Sequence, residues 1–211
     1  MIIISHRGFW HNHNEKNSIA AFDRSFINLY GLETDLRDMG GGIVISHDMA
    51  SEICLKLEDF FKLYKKYNAN LPLALNIKAD GLQNSLKQLI EKYEITNYFV
   101  FDMSVPDALL YIDLNFNVFT RQSEYEKEPS FYDKAHGIWM DEFYSHWIDK
   151  NIIKKHIDNG KSVCIVSPEL HKRDFKKEWQ EYKQIEKELQ IQDKLMICTD
   201  YPDEAMRFFN D

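Results

Sequence analysis

The chain has little of what would mark a membrane, nucleic-acid or disulfide-stapled protein. Its three cysteines, Cys54, Cys164 and Cys198, are odd in number and widely spaced. They fit neither a disulfide framework nor a metal-ligand spacing and, lying in apolar surroundings, are expected to be buried as small hydrophobes. No apolar run approaches the roughly 20 residues of a bilayer-spanning helix. The opening MIII is too short for the apolar core of a secretory signal and runs straight into HRG. These absences predict a soluble chain in a reducing, cytoplasmic setting. Positive charge is also short: 26 Lys plus Arg stand against 34 Asp plus Glu, a net charge of −8. Such a surface repels phosphate backbones, so no nucleic-acid partner is expected. A small phosphorylated substrate stays compatible, because a local metal ion and a few cations override the net field. Linkers, low-complexity tracts and solenoid-period repeats are missing too. Residues 1–211, 44% of them apolar, therefore read as one domain with a real core.

What is present is an alternation of short apolar runs with longer amphipathic stretches. Strands are predicted at 2–5, 32–37, 73–78, 98–102, 118–121, 137–141, 162–167 and 195–199, with a further short strand at 43–46 after the GGG turn. Helical spacing lies between them. Asn17 and Ser18 can cap a helix that runs to about residue 29, carrying Ile19, Phe22 and Phe26. Further helices are predicted at 57–66, 82–93, 106–111, 149–159, 175–189 and 202–209, the last with Pro202 in its first turn. Eight strands alternating with helices specify an α/β TIM barrel, (β/α)8, compact for its class. An open doubly wound sheet is the rival, disfavoured because polar residues gather at strand C-termini. Residues 122–135, with Pro129, are expected to be irregular or only briefly helical.

The polar residues that interrupt strands carry the chemistry. Alternation puts Glu33, Asp35 and Arg37 on one face of their strand. Two carboxylates so placed are poor core material unless a cation sits between them, and oxygen ligands favour Mg2+ or Ca2+. His6 ends the first strand and His47 follows IVIS. Two histidines flanking an E-x-D pair suggest a general acid and base around a metal-bound group. Gly8 lets the chain turn tightly beside a bound anion. Asn76 and Lys78 share a face of the third strand, and Lys78 suits the charge that gathers on a phosphodiester's nonbridging oxygens. Trp139 and Asp141 share a face of the sixth strand, and residues 167–173, SPELHKR, follow the seventh. That loop either receives a polar, sugar-like group or is merely a solvated helix start. His11 and His13 are expected to meet substrate or solvent rather than metal, and Asp200 to cap a helix.

Taken together, HRG at 6–8, NSIAAF at 17–22, GLETDL at 31–36 and ISHD at 45–48 resemble the amino-terminal signature of the glycerophosphodiester phosphodiesterases. The wider superfamily includes phosphatidylinositol-specific phospholipase C and the sphingomyelinase D toxins. The spacing strengthens the resemblance: His6, Glu33-x-Asp35, His47, then NIK ending at Lys78, with CTDYP at 198–202 near the last strand. It implies a phosphoric diester hydrolase of lipid metabolism, with its site at the C-terminal mouth of a TIM barrel. By that resemblance His6 and His47 exchange protons with the attacking and leaving oxygens. Arg7 and Lys78 hold the phosphate, and Glu33 and Asp35 bind one divalent cation, Mg2+ or Ca2+. Apart from the resemblance, the position of Trp139 on the sixth strand makes it either a substrate contact or simply core. The expected partner is a small phosphodiester, with no stable membrane insertion. Attack by water and attack by a neighbouring substrate hydroxyl, which gives a cyclic phosphate, both remain open. So do a lipid, glycan or nucleotide-sugar phosphodiester as substrate, and a catalytically silent phosphate-binding domain.

The chain departs from the family pattern at two points. Asn76 stands where the family has Glu, offering an amide oxygen without charge; Asp102, Asp141 or Glu169 are the acids that would compensate. Glu15-Lys16-Asn17-Ser18 replaces the usual PEN(T/S), with Lys16 in the glutamate's place.

Overall fold

A computed structural model describes residues 1–67 and 70–210. Along the chain come β1 (Ile2–His6), α1 (Ile19–Ile27), β2 (Gly31–Met39), β3 (Gly42–Ile45), α2 (Leu57–Lys66), β4 (Leu73–Ile77), α3 (Gln83–Lys92), β5 (Tyr98–Phe101) and α4 (Val105–Asp113). Then follow β6 (Phe119–Gln122), β7 (Gly137–Met140), α5 (Lys150–Asp158), β8 (Ser162–Val166), α6 (Lys176–Leu189), β9 (Leu195–Thr199) and α7 (Pro202–Asn210). Eight strands run parallel in the order β5-β4-β2-β1-β9-β8-β7-β6, and β3 pairs with β2 off this path. A parallel bridge between Val100 and Val118 brings the ends of the path together. This is the order of a (β/α)8 barrel and not of an open doubly wound sheet. Contacts divide the chain into two units, residues 5–118 and residues 1–4 with 119–211.

In residues 5–118 the predicted GGG turn closes an antiparallel hairpin, with Leu36 opposite Ile45 and Met39 opposite Gly42. Gly40 and Gly41 take the positive φ values, 57° and 81°, that such a turn requires. Ser18 caps α1 by accepting the Ala21 N–H at 3.3 Å. One turn apart on α1, Phe22 and Phe26 are buried against α2, and the Phe22 and Phe60 rings meet edge-on at 4.9 Å. Gly8 is needed for a reason the sequence reading did not see. At φ +86°, a Cβ here would stand 2.8 Å from Ala21 Cβ and 2.9 Å from Ala21 C. The close approach that excludes a side chain is therefore that of α1. Cys54 corrects another expectation. It is half-buried in the loop before α2, because that loop has no core to join: Met49 and Ile53 are 87% and 95% exposed.

In the other unit, Ile138, Met140, Val163, Ile165, Leu195 and Ile197 from β7 to β9 pack with Trp179, Tyr182 and Ile185 of α6. Cys164 and Cys198 are buried, as expected. Residues 123–136 hold only a short 3-10 turn at Tyr132–Lys134. Order in that segment comes instead from Glu124, whose carboxylate accepts the backbone N–H groups of Phe143, Tyr144 and Ser145 at 3.0–3.1 Å. Against the upward push of burial, these donors hold its pKa down to about 2. Gly137 faces the buried Phe119 so closely that an added Cβ would stand 2.3–2.6 Å from its ring carbons. Gly137→Ala is thus expected to cost about 1–3 kcal/mol of stability. A double-mutant cycle with Phe119→Leu, read by urea unfolding, should show the two losses to be strongly non-additive. Additive losses would mean that the ring is not what Gly137 accommodates.

Candidate active site

Strand β2 delivers Glu33 and Asp35 to one face, and both are almost fully buried, at 1% and 0% exposure. The neighbouring β4 pairs Asn76 directly with Asp35. The turn after β1 returns Arg7 to the same place. Its N–H donates to the Glu33 carboxylate at 3.1 Å, and its Nε lies 2.8 Å from Asp35 Oδ2. Lys78, the first residue past β4, sets its Nζ 3.6 Å from Asp35 Oδ1 and 3.8 Å from Asp102 Oδ2. His6 Nε2 is 3.9 Å from Glu33 Oε2. Arg7, Asn17 and Asp102 all have left-handed backbone, at φ 56°, 59° and 66°.

Electrostatics at this cluster are dominated by crowded acid. Burial, and after it the neighbouring Asp35, pushes the Glu33 carboxyl up to about 8, despite Arg7 and Lys78. Asp35 Oδ1 and Asn76 Oδ1 are buried and accept no hydrogen bond. A pair of carboxylates that cannot both ionise comfortably, beside two buried oxygens lacking donors, fits a hard divalent cation.

His47 is placed by the hairpin. Ser46 N–H donates to the Asp35 carbonyl at 3.0 Å, fixing the segment that leads into it. The His47 side chain is 47% exposed, with Nδ1 2.8 Å from Asp48 Oδ1. His47 holds the Asp48 carboxyl below its ordinary range, with smaller pulls from Arg7 and Arg37. One unit therefore brings together His6, Arg7, Glu33, Asp35, Asn76, Lys78 and Asp102, with His47 on its hairpin.

The other acids considered as compensation for Asn76 lie in the second unit and have partners there. Asp141 Oδ1 meets His171 Nε2 at 2.6 Å. Glu169 accepts from Thr199 Oγ1 at 2.5 Å and from Ser167, tying the ends of β8 and β9 together. Trp139 lies on β7, 5% exposed. His11 and His13 are exposed in the loop after β1.

Sequence reasoning overlooked two supports. Asn17, read as a cap, instead bridges β2: its Nδ2 donates to Asp35 Oδ2 at 2.9 Å and its Oδ1 accepts from Thr34 at 2.8 Å. Asp48 is the partner of His47, and their adjacency was the available signal. A third feature, the Glu142, His146 and Glu178 group, had only the four-residue spacing of its first two members to betray it.

No protein-family model matches the chain, and no curated protein matches it in sequence. Solved structures do resemble it. A chain from Galdieria sulphuraria, provisionally named a glycerophosphodiester phosphodiesterase, matches with a TM-score of 0.79 at 21% identity, covering 100% of this chain and 98% of that one. A glycerophosphodiester phosphodiesterase from Agrobacterium tumefaciens matches at 0.70 and 13% identity, covering 100% of both chains. A glycerophosphoryl diester phosphodiesterase from Parabacteroides distasonis matches at 0.67 and 15%, covering 99% of this chain and 86% of that one. At such identities the likeness shows the fold, and the fold is that of these barrels. No helix among the described residues is long and apolar enough to cross a membrane.

Proposed function

We propose that the chain is a metal-dependent phosphodiesterase acting on a small phosphodiester of the glycerophosphodiester kind. The observation that carries this reading is the buried Glu33, Asp35 and Asn76 oxygens gathered beside His6, Arg7 and Lys78. Glu33, Asp35 and Asn76 would hold one divalent cation, Mg2+ or Ca2+, with Asp102 as a further acid through Lys78. When bound, that ion neutralises phosphate charge and orients an adjacent oxygen. Arg7 and Lys78, paired with Asp35 at rest, are the cations for the phosphate's nonbridging oxygens. His6 and His47 exchange protons with the attacking and leaving oxygens. Asp48 engages His47 Nδ1, which leaves Nε2 as the position for proton transfer. The setting is cytoplasmic.

The test is hydrolysis of a panel of glycerophosphodiesters by chelator-stripped protein. Turnover is expected to be lost on stripping and restored by Mg2+ or Ca2+. Silence with both ions across glycerol, lipid and glycan phosphodiesters would overturn the reading.

A further inference from the structure

We propose that Glu142, His146 and Glu178 hold a second dication, of the zinc class, that pins the loop after β7 to the start of α6. Their ligand atoms lie within 4.8 Å of one another. Glu142 is the second residue past β7, His146 stands in the loop beyond it, and Glu178 is in the first turn of α6. His146 Nδ1 is 3.0 Å from Glu142 Oε1 and 3.6 Å from Glu178 Oε2. Glu178 is only 8% exposed, and its Oε2, aimed at that nitrogen, is buried and accepts no hydrogen bond.

The imidazole supplies the decisive chemistry. Its Nε2 lies 3.1 Å from Glu181 Oε2, so a neutral ring donates its one N–H to Glu181. The Nδ1 lone pair then faces two carboxylate oxygens, a repulsive arrangement that only a proton or a metal ion between them relieves. A carboxylate on the far nitrogen of a ligating histidine is the usual way its tautomer is fixed and its basicity raised. Formal charge agrees. The three carboxylates of Glu142, Glu178 and Glu181 against the single Arg173 guanidinium leave two negative charges, the complement of one dication.

The surrounding shell is already rigid. Glu142 accepts the N–H groups of Trp147 and Ile148 at 2.7 and 2.8 Å and the Tyr182 hydroxyl at 2.9 Å, while Arg173 grips Glu178 Oε1. One imidazole nitrogen with two carboxylate oxygens suits Zn2+ better than the all-oxygen preference of Mg2+ or Ca2+, and water completes the coordination.

The experiment counts zinc retained after chelator-stripped full chain is loaded with Zn2+ and desalted, beside His146→Ala and Glu178→Gln. His146 is surface-exposed, so its loss should leave the fold intact, and circular dichroism of both metal-free variants checks this. The parent should retain one equivalent more than either variant, and Zn2+ should raise its melting temperature by more than theirs. If His146→Ala fails to fold, Glu178→Gln decides alone. Equal zinc counts in parent and folded variant, or equal rises in melting temperature, overturn the site. The readout does not involve turnover, so the result stands apart from the phosphodiesterase reading.

Discussion

Turnover of a glycerophosphodiester by His47→Ala is expected to fall by roughly 10²–10⁴-fold, the range that a positioned general acid or base contributes. The loss should be chemical and not structural, since the side chain is 47% exposed. Melting temperature should accordingly hold while kcat collapses. Asp48→Asn should give a smaller loss, because the amide still reaches Nδ1 but carries no charge. Steady-state kinetics at saturating metal settle the matter, and near-parental turnover in His47→Ala would remove it from the acid–base pair.

A second large effect is expected in stability. The Glu33 carboxyl lies near 4.5 in an unconstrained chain and at about 8 in the fold. Below the lower value both states are protonated. Between the two, the unfolded chain has lost a proton that the folded chain retains, so folded stability declines by about 1.4 kcal/mol per pH unit. Above about 8 both states are ionised and the decline ends. Metal-free protein should therefore lose on the order of a few kcal/mol between pH 5 and 8, with the strained pair at its worst at the alkaline end. Glu178, raised to about 7, titrates in the same window, so the informative quantity is the difference between parent and Glu33→Gln. That variant should show a shallower slope, and a divalent cation at pH 8 should restore the parent. Urea unfolding with chelator at several pH values measures it. Identical slopes in parent and variant would show that Glu33 is not the buried acid responsible.

Much of this was legible because its determinants are local. The glycine turn before β3, Ser18 at the head of α1 and Pro202 opening α7 each announce themselves within a few residues, and each stands where the pattern placed it. The burial of Glu33 beside Asp35 follows from alternation along one strand. What escaped depends on which distant segment arrives. Asn17 looked like a cap, yet its side chain serves Asp35, a residue brought near only because β2 lies beside β1 in the sheet. Gly8 looked like a place for an anion, and its absent side chain makes room for Ala21. Asn76 could have been compensated by any of three acids. Asp102 shares Lys78 with Asp35, while Asp141 and Glu169 are engaged by His171 and Thr199. No periodicity distinguishes those three.

The β2–β3 hairpin has a further consequence for anyone rebuilding such proteins. Residues 31–48 carry Glu33, Asp35 and His47 on one continuous ribbon, its register set by Leu36 opposite Ile45 and locked by Ser46 on the Asp35 carbonyl. The distance between the acids and the histidine is thus an internal dimension of a short piece of chain, indifferent to drift in the remaining strands. Such a ribbon can be grafted as a unit, and lengthening its glycine turn would leave that dimension untouched, whereas slipping the pairing by one residue would turn His47 to the opposite face.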